Sequence, residues 1–394
     1  MRSTRDRPRV SRWSGAVQAV AGALVMTTLG ACGSGALTAR GAGGAGGGAS
    51  QPGGGGAAGD VAGPNCGTLP ALEPLLTGLL STVHGLQVVG NSLFFVDTGA
   101  GTPDAAGGTG GVRRVNLDGS GDGILYAAQP GQQLIDLVAG VDDLYILQQE
   151  MTGSASRVFL YSMPQGGGIP APLSDGSAGW APSLVHFVGV DANSVFLVNQ
   201  DDVTGKARLT RVDLADGSET TLALSAGIRS AQLMGNVVWY YDGASIYQVP
   251  AHGGALGAVQ VGTISCAPRT MSVTADAIYC GGGLGITRLD ALATMATNAV
   301  DLSVVDPGEV NPSPPDGTSV YVAPMVSETE SLPLTAIPSS RGLRRLDDDG
   351  SVTLVSCGRG IMHDIAFSPT DMYWLESRST AAGTVDTQIF RLAK

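Results

Sequence analysis

Three of the four histidines in this chain, His84, His186 and His363, keep a common spacing, and imidazole is the side chain best suited to proton transfer near neutral pH. Nine residues after each stands an apolar residue, Leu93, Val195 or Met372, inside a β-rich run. Equivalent runs carry Leu144, Val238, Ile278 and Val320, and the same count back from these reaches Ile135, Arg229, Arg269 and Asn311. Asp136 and Asp364 lie alongside. One repeat position therefore gathers His84, His186, Arg229, Arg269, Asn311 and His363, donors that suit an anionic or sugar-like ligand. The alternative is a water-filled channel whose polar groups satisfy one another. No nucleophile motif accompanies the histidines: there is no Gly-x-Ser-x-Gly elbow and no His pair at the spacing of a zinc hydrolase.

The remaining chemistry is sparse. Five cysteines are present, Cys32, Cys66, Cys266, Cys280 and Cys357, and none forms a Cys-x-x-Cys pair, which disfavours zinc and redox motifs. With Cys32 set apart, the other four allow three pairings. Cys266 and Cys280 flank one hairpin, which leaves Cys66 and Cys357 to staple distant parts of the chain. The run Asp118-Gly-Ser-Gly-Asp122-Gly123 opens like a calcium loop, but the closing carboxylate would fall at Gln129. An ordinary strand-to-strand turn is the expectation there, and at Asp347-Asp348-Asp349-Gly350 as well. Gly281–Gly285 lacks the strand, helix and spacing of a phosphate loop. No metal and no cofactor is expected.

The elements that would position these residues repeat. NSLFFVD at 91, DDLYILQ at 142, NSVFLVN at 193, NVVWYYD at 236, DAIYCGG at 276, TSVYVAP at 318 and TDMYWLE at 370 are seven copies of one pattern, separated by 51, 51, 43, 40, 42 and 52 residues. Each follows an alternating stretch and a polar turn and precedes a second alternating strand, such as VRRVNLD at 112 or LTRVDLA at 209. Six units then run into a fourth strand, most of them through a Gly-rich turn. A period of roughly 40 to 50 residues with four strands is that of a propeller blade, and the innermost strand of each blade lines a central channel. The seventh unit stops at Lys394 without a fourth strand, and PALEPLLTGLLST, residues 70–82, could supply it, though a short capping helix is the other reading of so Leu-rich a run. Trp239 and Trp374, in second strands, are expected in the blade core.

The arrangement FFVD followed by VRRVNLDGSG and a new strand resembles the tyrosine-tryptophan-threonine-aspartate repeats of the low-density-lipoprotein-receptor propellers, and is similar to other secreted bacterial propellers. The resemblance covers residues 84–394 loosely. Those repeats build six blades, whereas seven units stand here, and only Tyr373-Trp374 and Trp239-Tyr240 echo their core. It implies a fold and no activity, because propellers host enzymes, receptors and scaffolds alike.

The amino-terminal segment has a different role. Arg2, Arg5, Arg7, Arg9 and Arg12 precede an apolar run from Ala16 to Ala31, too short for a membrane span and laid out as a secretory signal. It ends in Leu29-Gly30-Ala31-Cys32, which resembles the cleavage box of bacterial lipoproteins, where the signal is cut before the Cys and that Cys is acylated. The resemblance implies lipid attachment at Cys32, and Gly33 in place of an Asp implies the outer membrane. Each buried methylene contributes about 0.8 kcal/mol, so two or three chains anchor where one does not. Residues 33–65 carry 14 Gly in 33 positions, a flexible tether spanning on the order of 30 Å.

Composition sets the outer limits. The chain has 394 residues, 43% apolar and 14% charged, with 22 basic against 34 acidic, and cleavage before Cys32 would leave 17 against 33. That balance disfavours nucleic-acid partners and excludes a wholly disordered chain. The expectation is an all-β, seven-bladed propeller, with six or eight blades as alternatives, closed by an amino-terminal strand. Its parts are a signal at 1–31, lipidated Cys and tether at 32–65, and propeller at 66–394. The expected protein is a monomer anchored by lipid in the bacterial cell envelope. Its leading role is a non-catalytic binding or assembly module for an envelope protein or glycan, with a channel lyase or hydrolase acting on a glycan or ester as the alternative.

Overall fold

The computed structural model describes residue 69 and residues 72–394, apart from 80–81, 99–109, 153–154, 174–179, 182–184, 201–203, 254–257, 264–270, 275–276, 283–284, 291–296, 301–309, 312–318, 324–341, 348–350, 358–359 and 380–384. The signal, the tether, Cys32, Cys66, Cys266 and Arg269 lie outside the described residues, as do Asp348, Asp349 and Gly350. What is described contains strands and no helix.

Seven antiparallel sheets of four strands each form the blades of a β-propeller. The innermost strands are Val83–Val89, Gln132–Ala139, His186–Val190, Ser230–Met234, Met271–Val273, Val310–Asn311 and Ile361–Phe367, in blades 1 to 7. All seven recurring runs are second strands, hydrogen-bonded between the innermost strand and the third. Their composition follows from position. A second strand has neighbouring blades on both faces, so it reads as a continuous apolar run rather than an alternating one, and all residues of Leu93–Asp97 are buried.

Packing between blades makes the core. Leu93 and Phe95 of blade 1 join Tyr373, Leu375 and Ile389 of blade 7, while Phe94 and Val96, pointing the opposite way, join Leu134, Leu137, Leu144 and Ile146 of blade 2. The described apolar clusters number seven, one between each pair of neighbouring blades. Trp374 is fully buried and stacks on Phe390 at 5.5 Å, and Trp239 packs against the cluster between blades 4 and 5.

Closure comes from the amino-terminal side. Strand Pro74–Leu79 is the outermost strand of blade 7, antiparallel to Val385–Ala393, so residues before blade 1 complete the last sheet. Pairing is irregular, with shifts between Pro74, Leu76 and Leu79, which fits a Leu- and Pro-rich strand with low β propensity. Leu79 nevertheless anchors it, with no exposed surface, in the cluster shared by blades 7 and 1.

The turns behave as structure. Asp118 Oδ1 accepts from the backbone N and Oγ of Ser120 at 2.9 and 2.6 Å, and Asp122 pairs with Arg113, which also holds Asp97 at 2.9 Å. The acids of this loop are thus engaged locally. Asp347 is likewise held, by Ser319 at 2.8 Å and by Arg345.

Leu79→Ala should lower stability by about 2–5 kcal/mol, since it opens a void at the seam. Ile124→Ala, at a site 53% exposed on the outer strand of blade 1, should change it by no more than about 0.5 kcal/mol. Urea unfolding of the two variants checks the contrast, and equal small losses would mean that the closing strand carries little of the fold.

Candidate functional site

The axis of the ring holds a cavity of about 350 Å³, lined from the innermost strands of blades 1 to 5 and 7. Its polar side chains are Gln87, Asp136, His186, Ser230, Gln232 and Asp364.

Strand register decides which residues reach it. His84 pairs with Val96, Asp136 with Leu147, His186 with Val198, Ser230 with Tyr241 and His363 with Leu375, in each case three residues past the anchor of that blade's second strand. The structural ring position therefore contains His84, Asp136, His186, Ser230 and His363. Bulges interrupt the innermost strands of blades 1, 2, 3 and 7, between His84 and Gln87, Leu134 and Asp136, Phe187 and Gly189, and His363 and Ala366. The blade 4 ladder runs without one from Ser230 to Met234, so a fixed count of nine overshoots and lands on Arg229. Arg229 precedes the strand, where its guanidinium lies beside Gly243 in the next turn, away from the cavity lining. In blade 2 the ladder likewise runs unbroken from Ala139 to Asp136, its bulge falling only beyond, between Asp136 and Leu134, so Asp136 and not Ile135 takes the ring position. Asn311 pairs with Tyr321, one residue past its anchor, two steps along from the ring position.

The polar side chains of the ring reach from one blade to the next. Asp364 Oδ2 accepts from the amide of Gly85 at 3.0 Å, joining blade 7 to blade 1. Asp136 Oδ2 accepts from Phe187 at a longer 3.5 Å, joining blades 2 and 3, and Gln232 Oε1 accepts from Val273 at 2.7 Å, joining blades 4 and 5. An innermost strand has one sheet partner only, so amides on its axial edge must find acceptors elsewhere. Gly85 also shows how close the blades approach: its φ is +65°, and a Cβ there would lie 2.8 Å from the Leu137 nitrogen and 2.9 Å from Asp136 Oδ1. Only glycine fits.

Asp364 occupies the left-handed region with φ +48°. Burial alone would push its pKa up. The neighbouring His363, the charge of His363 and His84, and the Gly85 amide act against burial and hold it below the ordinary carboxyl value. His363 Nδ1 is 3.7 Å from Asp364 Oδ2, and its ring centroid is 6.5 Å from that of His84. His363 Nε2 meets Ser377 Oγ at 2.9 Å, and Ser377 Oγ meets Thr387 Oγ1 at 2.9 Å. This Asp-His-Ser sequence of contacts turns into the blade, since Thr387 is fully buried, and neither His363 nor His84 is among the cavity-lining residues. No sequence motif announced it, because Ser377 lies 14 residues from His363 on the next strand. The fourth histidine, His252, is 46% exposed and pairs with Asp191.

Cys280, buried in the second strand of blade 5, and Cys357, at the end of the outer strand of blade 6, are both disulfide-bonded. Among the described residues no group of three or more His, Cys, Asp or Glu is placed to hold a metal.

No family model and no curated protein matches the sequence. Solved structures do match in fold. The β-propeller domain of the Trilobed protease from Pyrococcus furiosus, described as having an open velcro topology, superposes with a TM-score of 0.51 at 10% identity over 80% of this chain and 97% of that one. Prolyl endopeptidases match at 0.52 and 10% over 80% of this chain and 50% of theirs, and an oligogalacturonate lyase in complex with manganese at 0.51 and 12% over 76% and 86%. These similarities identify a seven-bladed β-propeller and nothing finer. The ring here is closed by strand Pro74–Leu79.

Asp364→Asn keeps a carbonyl for Gly85 and tolerates the left-handed backbone, so it isolates the charge. Because the folded state depresses this pKa, the stabilisation is present above the ordinary carboxyl range and is lost as pH falls through the folded value. The variant should be less stable than the parent at pH 7, with the difference shrinking below about pH 4. Chemical denaturation at both pH values checks this, and a pH-independent difference would remove the charge from the account.

Proposed function

We propose that this chain is an exported bacterial lipoprotein, acylated at Cys32 and tethered by residues 33–65, whose propeller serves the outer-membrane envelope as a non-catalytic binding or assembly module. The observation that carries the non-catalytic reading is the use made of the ring. Asp136, Gln232 and Asp364, the acceptors a catalytic channel would draw on, already hold amides of the following blade. A general base must be free to move a proton at a reacting atom, and a carboxylate held below its ordinary pKa by structural donors is poorly matched to that task. What remains open is a concave polar cavity, suited to receiving a group rather than transforming it.

One contact favours a second reading. The approach of His363 Nε2 to Ser377 Oγ, with Asp364 behind the imidazole, has the order of a hydrolase triad. A fluorophosphonate probe separates the two. The binding module should show no labelling of the folded chain, whereas labelling abolished by Ser377→Ala would establish the hydrolase.

The anchor has its own test. In a bacterial host the parent should incorporate labelled palmitate and partition into detergent, and Cys32→Ser should do neither. An unlabelled, water-soluble parent would leave Cys32 an ordinary residue near a signal.

A further inference from the structure

We propose that the axial cavity receives an uncharged sugar ring through its hydroxyl groups, an inference that names the ligand class of the binding module above and rests on that reading. The groups with free hydrogen-bonding capacity carry it. Asp136, Asp364 and His186 are engaged within the protein. The Gln87 side chain and the Ser230 hydroxyl, by contrast, form no hydrogen bond among the described residues, and the Gln232 side chain uses only its Oε1, on the Val273 amide. All three residues line the cavity. Register explains their grouping. Gln87 pairs with Phe94 and Gln232 with Trp239, each one residue past its anchor, and Ser272 and Asn311 hold the same position in blades 5 and 6. A layer of neutral residues therefore lies two positions, about 7 Å of strand, from the ring of histidines and Asp136, where Ser230 adds a hydroxyl.

The chemistry of these groups selects the ligand. A primary amide presents a carbonyl acceptor beside N–H donors, and a hydroxyl both donates and accepts, so each matches an alcohol, which also does both. Adjacent hydroxyls on a ring can meet the carbonyl and the N–H of one amide together. The anionic ligand that the sequence also allowed relied on Arg229, which lies beside Gly243 rather than in the cavity lining. Apolar surface completes the fit: Phe187, Val188, Met271 and Ile365 stand in the same wall, where the C–H face of a sugar can rest. At about 350 Å³ the cavity lies at the small end of ligand sites, enough for a single ring and short for a buried oligosaccharide. Water meets such polar groups when no ligand does, and a sugar that displaces it reproduces its hydrogen bonds, which an apolar ligand does not.

The ring can belong to a free sugar or to the end of a glycan. Ligand-observed NMR titration of the full chain in detergent with glucose, galactose and mannose, with their methyl glycosides and with cyclohexanol separates these sources and tests the chemistry. Binding of free sugars alone identifies a small solute, binding of methyl glycosides alone a chain end, and binding of both a site open to either; each supports the proposal. Cyclohexanol, a ring with one hydroxyl, should bind about tenfold more weakly or not at all. Gln87→Leu removes the amide at similar side-chain length and should weaken sugar binding about tenfold, and Ser230→Ala should weaken it about threefold. Neither side chain forms a hydrogen bond between blades, so the urea midpoint should stay with the parent's, which separates a lost ligand contact from a lost structural one. Should one variant fail to fold, the other keeps the test decisive. No sugar binding up to about 10 mM, cyclohexanol bound as tightly as the sugars, or binding unchanged in a folded variant overturns the proposal. Fluorophosphonate labelling, by contrast, tests the non-catalytic reading alone, so the two can fail separately.

Discussion

A blade of this protein cannot bury itself. Its second strand is apolar on both faces, with Phe94 and Val96 directed at blade 2 and Leu93 and Phe95 at blade 7, so each sheet needs a neighbour on either side. A linear row would leave two faces in water, and only a closed ring removes both. The closing strand Pro74–Leu79 follows from that requirement. Blade 7 takes its outermost strand from the segment before blade 1, which pairs with Val385–Ala393. Leu79 then belongs to the cluster of Tyr373, Leu375 and Ile389, so the segment that opens the propeller is packed with the residues that end it.

Ring closure also explains the polar axis. The innermost strands converge, and the edge each turns to the axis has no further strand to pair with. Gly85, Phe187 and Val273 present amides there, and each is met by a side chain from the preceding blade, Asp364, Asp136 or Gln232. These polar groups do for the axis what apolar clusters do farther out: they join successive blades. Gly85 allows the approach and Asp364 accepts it with a left-handed backbone, so the seam between blades 7 and 1 is fixed by hydrogen bonds inside and by Leu79 outside.

The fold was largely legible because its signal is periodic. Seven apolar runs at near-constant spacing require seven similar sheets, and the missing fourth strand of the last unit pointed to closure from residues 70–82. The likeness to the receptor propellers held for fold, with seven blades in place of their six. The site was less legible, for a reason of register. A bulge adds a residue without changing composition, so counting from the anchors selected Arg229 where the ladder places Ser230, and Ile135 where it places Asp136. Contacts such as Gly85 with Asp364, 279 residues apart, leave no trace in local sequence. His84, His186 and His363 were found because their spacing repeats, and Asp136 only as the neighbour of Ile135; His186 and Asp136 line the cavity while His84 and His363 meet at the seam beside Asp364.

The acceptors at the axis are a consequence of how the ring is held rather than a separate feature. An amide at an unpaired strand edge is best met by a strong acceptor on a short side chain, and a carboxylate at the ring position fits that need. At Asp364, burial works against the charge, and His363, the charges of His363 and His84 and lastly the Gly85 amide keep the carboxylate ionised, with its pKa below the ordinary value. The bonds that join the blades therefore decide which acceptors stand at the axis, so Asp136, Gln232 and Asp364 are placed there by the needs of the ring before those of any ligand.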